Sequence, residues 1–203
     1  MRLPPFRAVL FDCDGVLADS EGLVNTIVAE EVTARGWAMD GERARQEFLG
    51  LALPDMLPRI VRRTGPLPPG WAAALTARIE RELERRLEPI PGAPEAVTRL
   101  AARGVPLAVC SNSGRAELHR KLRLLGLAGV FAGRVFSFED VPRPKPAPDL
   151  YLAGAAACGM TPGECLVVED SAPGVVAALA AGCRVVSPVA GLGVPVVPLS
   201  ALG

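Results

Sequence analysis

Four short apolar runs, each stopping at an acidic or hydroxyl residue, constrain this chain more than any average taken over it. They are residues 8–11 before Asp12 and Asp14, 105–110 before Ser111 and Asn112, 166–168 before Glu169 and Asp170, and 183–186 before Ser187. Val135 and Phe136 form a weaker fifth. Runs this short and this apolar suit strands buried on both faces. Helical patterns separate them. Residues 94–103 carry Pro near the start and Gly104 just past the end, the asymmetry expected of helix termini. Leu118, Leu122 and Leu125 line one face of a helix closed by Gly126, and residues 148–158 and 173–181 end at Gly159 and Gly182. Strand-helix alternation of this kind predicts an α/β fold: a parallel sheet covered by helices on both faces, three layers in all.

Between the first and second runs the pattern changes. Leu23, Val24, Ile27, Val28 and Val32 describe an amphipathic helix that Asp19 or Ser20 can cap and Gly36 can end. Residues 54–63 read as another. Trp71, Leu75, Ile79, Leu83 and Leu87 recur every four residues through an Arg/Glu-rich stretch, the pattern of a long helix whose stripe is core. A helical insertion over residues 17–89 therefore interrupts a sheet domain made of 1–16 and 90–203. Pro and Gly cluster at 15–19 and 88–94, which read as the hinges. The Pro/Gly-rich tail holds a short strand candidate at 194–197.

Composition removes several function classes. With 22 basic and 22 acidic side chains and a pI near 6.6, the chain has no electrostatic footprint for nucleic acid. No apolar stretch approaches the ~20 residues that cross a bilayer, and the first residues lack the pattern of a signal peptide. Cys13, Cys110, Cys158, Cys165 and Cys183 are odd in number and scattered, as expected of reduced thiols in a cytoplasm. The one histidine, His119, has arginines around it and reads as solvent-facing. A His-based triad or His-rich metal site cannot be built. Lysine occurs at 121 and 145 only, every other basic residue being arginine. A position that keeps Lys against that bias can need a compact ammonium.

Ligands of open parallel sheets bind outside the carboxyl ends of the strands. Here those ends would gather Asp12, Asp14, Glu169 and Asp170 at one rim, beside Ser111 and Asn112. Like charges that close raise one another's pKa or demand a cation, and a hard ion such as Mg2+ suits an all-oxygen set. A single Asp-x-Asp is as easily a pair of helix-capping loop carboxylates. Three strand ends of the right type in one sheet favour a site.

Residues 11–17, Phe-Asp-Cys-Asp-Gly-Val-Leu, resemble the first motif of the haloacid dehalogenase superfamily. Ser111-Asn112 is similar to its second, Lys145 in Arg-Pro-Lys-Pro to its third, and Val168-Glu169-Asp170-Ser171 to its fourth. Order and spacing fit across almost the whole chain. The resemblance implies a Rossmann-like core with an inserted helical cap of the C1 type that closes over the rim. The nearest subgroup is that of β-phosphoglucomutase-like proteins and phosphosugar phosphatases. It further implies a monomeric, cytoplasmic, Mg2+-dependent phosphatase of a small phosphorylated metabolite, a sugar or polyol phosphate, with no nucleic-acid or membrane partner.

By the same resemblance Asp12 is the nucleophile that becomes an aspartyl-phosphate, and Asp14 is the acid and base for the leaving alcohol and the attacking water. A halide leaving group needs no proton, so Asp14 points to phosphoryl transfer rather than dehalogenation. Ser111, Asn112 and Lys145 would hold the phosphoryl oxygens, and Lys145 would balance charge on Asp12. Asp12, the Asp14 carbonyl and Asp170 would bind Mg2+, with Glu169 either a ligand or one layer out. Cys13 reads as packing. Arg59, Arg62 and Arg63 could hold a substrate's polar end or simply face solvent. A phosphomutase is the alternative, but residues 50–54 lack the Ser and Arg of the mutases' cap motif, and Val24 stands where they carry His. A non-catalytic phosphate-binding relative would be expected to have lost Asp12, Asp14 or Lys145.

Overall fold

The computed structural model describes residues 3–48, 51 and 53–202. In chain order the strands are β1 (Ala8–Phe11), β2 (Ala18–Asp19), β3 (Glu88–Pro89), β4 (Leu107–Cys110), β5 (Val135–Phe136), β6 (Cys165–Val168) and β7 (Arg184–Val186). The helices are α1 (Glu21–Thr33), α2 (Gly41–Phe48), α3 (Leu53–Thr64), α4 (Trp71–Arg86), α5 (Ala93–Ala102), α6 (Arg115–Leu124), α7 (Asp149–Ala157) and α8 (Ala172–Ala180). The chain divides into two compact units, Met1–Ala18 with Glu88–Gly203, and Asp19–Leu87.

The larger unit is built on a parallel sheet in the order β5-β4-β1-β6-β7. β1 is central because every residue of Ala-Val-Leu-Phe is fully buried, which only a strand paired on both edges and covered on both faces requires. Its register sets Phe11 opposite Val109 of β4 and opposite Val168 of β6. β6 therefore ends level with β1, and β4 runs one residue further, to Cys110. Alternation sends Ala8 and Leu10 to one face, where they pack with Leu150 and Tyr151 of α7 and Ala177 and Ala178 of α8. Phe11 points the other way and meets Phe131 edge-on, ring centroids 6.1 Å apart. The α/β three-layer expectation is met.

The hinge positions are more ordered than a Pro/Gly cluster suggests. β2 and β3 pair in a two-stranded sheet, and the Ile90 N–H donates to the Leu17 carbonyl at 3.0 Å. The tail does not form the strand expected at 194–197: Val196 makes one isolated bridge, to Ser187. Pro195 lies inside that stretch and Pro198 follows it, and neither can donate to a ladder.

The smaller unit is helical. Its core joins Ile27, Val28 and Val32 of α1 to Trp37, Phe48, Ile60 and Leu75, with Trp71 and Ile79 packed against it. The α4 stripe is thus core, as its spacing implies. α2 escapes the periodic reading because Gly-Glu-Arg-Ala-Arg-Gln-Glu-Phe offers only Ala44 and Phe48 to bury. It forms where Phe48 stacks edge-on against Trp37 at 5.7 Å. Gly41 lets α2 begin against α1, since a Cβ there would approach the Thr26 hydroxyl to 2.9 Å.

Candidate active site

Because β4, β1 and β6 end within one residue of each other, the residues that follow them are neighbours. Asp12, one step past β1, and Glu169, one step past β6, are buried, as are Ser111 after β4 and Lys145 on the β5–α7 connection. Lys145 Nζ donates to Asp12 Oδ1 at 2.6 Å and to Glu169 Oε2 at 2.7 Å. Tyr151 on α7 donates its hydroxyl to the same Glu169 oxygen at 2.5 Å, and its ring lies 4.9 Å from the ammonium. The other Glu169 oxygen accepts from the Asp170 and Ser171 N–H groups and from the Ser171 hydroxyl. Both carboxylate oxygens of Glu169 are therefore committed.

This unequal sharing decides how the two acids ionise. Burial and the neighbouring Glu169 push the Asp12 carboxyl well above its usual range, against the pull of Lys145. Burial disfavours the Glu169 carboxylate too, but Lys145, Tyr151 and Ser171 outweigh it and hold its pKa below the ordinary value. Burial pulls the Lys145 pKa down; Asp12 and Glu169 outweigh it and raise it above the ordinary value.

Asp12, Glu169 and Asp170 offer ligand atoms that all lie within 4.8 Å of one another. Oxygen-only donors of this density suit a hard divalent cation. The donor set fits such an ion, and of its three acids Glu169 is the one whose two oxygens already accept five hydrogen bonds. The chain reaches Asp170 closely at Gly15, where φ is +72° and a Cβ would fall on the Asp170 carboxylate. Only glycine serves there.

Asp14 leans the other way, into the start of α6. Its Oδ2 accepts from Ser113 Oγ at 2.6 Å and its Oδ1 from Lys121 Nζ at 2.5 Å. Ser111 Oγ accepts from the Ser113 N–H at 3.0 Å, and the Ser111 N–H is used by the sheet, donating to Phe136. Asn112 spends its amide on the main chain of Lys145, donating to the carbonyl at 3.1 Å and accepting from the N–H at 3.0 Å. Asp12, Asp14, Ser111, Asn112, Lys145, Glu169 and Asp170 are thus brought to one rim.

Three further residues join them. Tyr151 and Lys121 carried a signal in their scarcity, Tyr151 being the one tyrosine and Lys121 one of two lysines. Ser113 carried none. Cys13 is fully buried, and burial followed by the Asp14 charge pushes its thiol up, so it stays protonated. His119 is exposed. In the helical unit, Arg59 donates to the Glu47 carbonyl at 2.8 Å and Arg63 lies 5.6 Å over Trp37, both beside a recess that Arg62 also lines. Gly50 and Ala52 of the 50–54 stretch lie outside the described residues, and Val24 is half-buried against the helical core.

A parallel sheet with its ionisable groups gathered at the carboxyl ends of three adjacent strands defines an α/β protein with a carboxylate-centred site. Residues 6–182 match the haloacid dehalogenase-like hydrolase family, and the chain belongs to it. It is 33% identical over 186 residues to hexitol phosphatase A of Escherichia coli, covering 89% of this chain and 82% of that one. It is 31% identical over 186 residues to a bifunctional riboflavin kinase/FMN phosphatase of Arabidopsis thaliana, covering 88% of this chain but only 47% of the larger protein. Among solved structures, a HAD family hydrolase from Deinococcus radiodurans with bound phosphate and sodium superposes with a TM-score of 0.77 at 35% identity, over 98% of this chain and 89% of that one.

Proposed function

We propose that the protein is a Mg2+-dependent phosphatase of a small phosphorylated metabolite, a sugar or polyol phosphate, working through a phosphorylated Asp12. One observation carries the reading: Asp12 is buried at the end of the central strand with its Oδ1 held 2.6 Å from Lys145, beside a second acidic strand end. The names hexitol phosphatase A and FMN phosphatase, and the phosphate bound in the Deinococcus structure, support the substrate class. Asp12, Asp170 and the Asp14 carbonyl would hold Mg2+, which supplies positive charge that keeps Asp12 ionised and offsets charge on the phosphoryl oxygens.

The residues then divide the work. Asp12 attacks phosphorus, the bond to the leaving oxygen breaks, and the Asp14 carboxyl gives that oxygen its proton. Water next attacks the same phosphorus, the Asp14 carboxylate takes the water proton, and Asp12 is regenerated as phosphate departs. Ser111 and Lys145 steady the phosphoryl oxygens. Asn112 acts by fixing the Lys145 main chain, and Glu169, its oxygens already engaged, acts by holding Lys145 and Tyr151 rather than by touching the ion. Five free, buried thiols support a reducing compartment, the cytoplasm, and among the described residues no helix is long and apolar enough to cross a membrane.

The test is phosphate release with Mg2+ from a panel of sugar phosphates, phosphoglycolate, phosphogluconate and nucleotides. Wild type should turn over at least one. Asp12→Asn should lower that turnover by a factor on the order of 10⁴ or more, as loss of a nucleophile does. Turnover that survives the substitution defeats the assignment.

A further inference from the structure

Lys121 has no part in the reaction just described, yet it is as deeply buried as Lys145, 2% exposed against 7%. The only two lysines of the chain each hold one aspartate of the Asp12-x-Asp14 pair. An ammonium has three donor hydrogens, and Lys121 Nζ has three acceptors: Asp14 Oδ1 at 2.5 Å, Glu117 Oε1 at 2.5 Å one helical turn back, and Ser113 Oγ at 3.3 Å. Ser113 in turn donates to the second Asp14 oxygen. Asp14 is gripped through both oxygens, by Lys121 on α6 and by Ser113 just before that helix. A planar guanidinium cannot serve three acceptors grouped round one point, which accounts for lysine in an arginine-rich chain. Stability alone is a poor explanation, since buried ion pairs often contribute little against apolar replacements.

We propose that Lys121, acting with Ser113, is a positioning residue that fixes the Asp14 carboxyl for its proton transfers. The proposal rests on the phosphatase reading above and extends it to a residue that need not touch substrate. It separates substrates by leaving group. An alkoxide must be protonated as it departs, whereas a dinitrophenolate leaves unaided, so a misplaced Asp14 harms the first and spares the second.

The experiment compares first-turnover release of the alcohol from an alkyl phosphate and from dinitrophenyl phosphate, in wild type, Lys121→Met and Ser113→Ala, with Mg2+. Lys121→Met should slow alkyl release about 10–100-fold while changing dinitrophenolate release less than about threefold. Ser113→Ala, which leaves Lys121 in place and guards against a folding failure of the first variant, should show the same split more weakly. Thermal stabilisation by beryllium fluoride with Mg2+, a probe of the Asp12 site alone, should be retained in both. Equal slowing of both substrates, an unchanged alkyl rate, or loss of the fluoride stabilisation overturns the proposal. A wild type that releases phosphate from nothing overturns the phosphatase reading, and this inference with it; only that failure leaves the unaltered protein inactive.

Discussion

Asp12 and Asp14 are separated by one residue and differ in burial and in the lysine that each accepts from. Asp12 is buried and leans on Lys145; Asp14 is half-exposed and leans on Lys121 and Ser113. Two carboxylates placed in different surroundings can hold different protonation states, which an acid and a nucleophile in one site require. The type of each residue was legible in the sequence, because Asp12, Asp14, Ser111, Lys145, Glu169 and Asp170 all sit at breaks in apolar runs or in a marked turn. Their company was not. Asn112 looks like a substrate group in sequence, and only the strand-end geometry shows its amide occupied by the Lys145 main chain. Lys145 is the residue on which this corner depends. Lys145→Met would leave Asp12 and Glu169 facing each other without a cation, and in metal-free buffer it should cost about 3–5 kcal/mol in urea unfolding, the usual penalty for one lost partner of a buried pair. Turnover should fall along with stability.

At the scale of the element, α6 and α8 each do more than cover the sheet. α6 and the turn leading into it bring Lys121, Glu117 and Ser113 to bear on the end of β1, a role hidden in sequence because Lys121 sits beside Leu118 and Leu122 on the buried face, where periodicity leads one to expect an apolar residue. The Glu117–Lys121 spacing was the available clue. α8 begins over Glu169. Ser171 caps it by accepting from the Gly174 N–H at 3.1 Å, and a Cβ at Gly174 would fall on the Glu169 carboxylate. Glu169 cannot retreat, as both of its oxygens are held. Gly174→Ala should therefore destabilise by about 1–3 kcal/mol through overpacking, whereas Gly22→Ala, in helix α1 with nothing within 4 Å of its Cβ, should stabilise by about 0.5–1 kcal/mol. Denaturant midpoints for the two substitutions should move in opposite directions. α2 was missed for the converse reason: a surface helix with two buried residues has almost no periodic signal.

For the whole molecule, the strand-helix alternation made the parallel sheet and its covering helices readable, since buried parallel strands are apolar runs, whereas the strand order came only from the structure. The tail was not readable in this way, because the apolar residues at 194–197 bury without pairing. The buried thiols and the two buried lysines together set the protein's response to alkali. Folding raises the pKa of both Lys121 and Lys145 above the ordinary 10.5, so the stability they confer is complete below that pH and declines as pH climbs past it. Glu169, lowered from its ordinary 4.5, behaves inversely: its contribution is present above that value and disappears as acid is added. Urea midpoints measured with chelator should decline above about pH 9, where the thiols of the unfolded chain ionise and the buried ones do not, and fall more steeply beyond about pH 10.5; Lys121→Met should flatten that second fall. The bond from Ile90 to Leu17 has a topological corollary. It fastens the two cut ends of the sheet unit side by side, so the unit offers a closed socket into which excursions of different length or kind can be spliced at negligible loop cost. An insert can then be exchanged without disturbing the strand ends that gather the carboxylates.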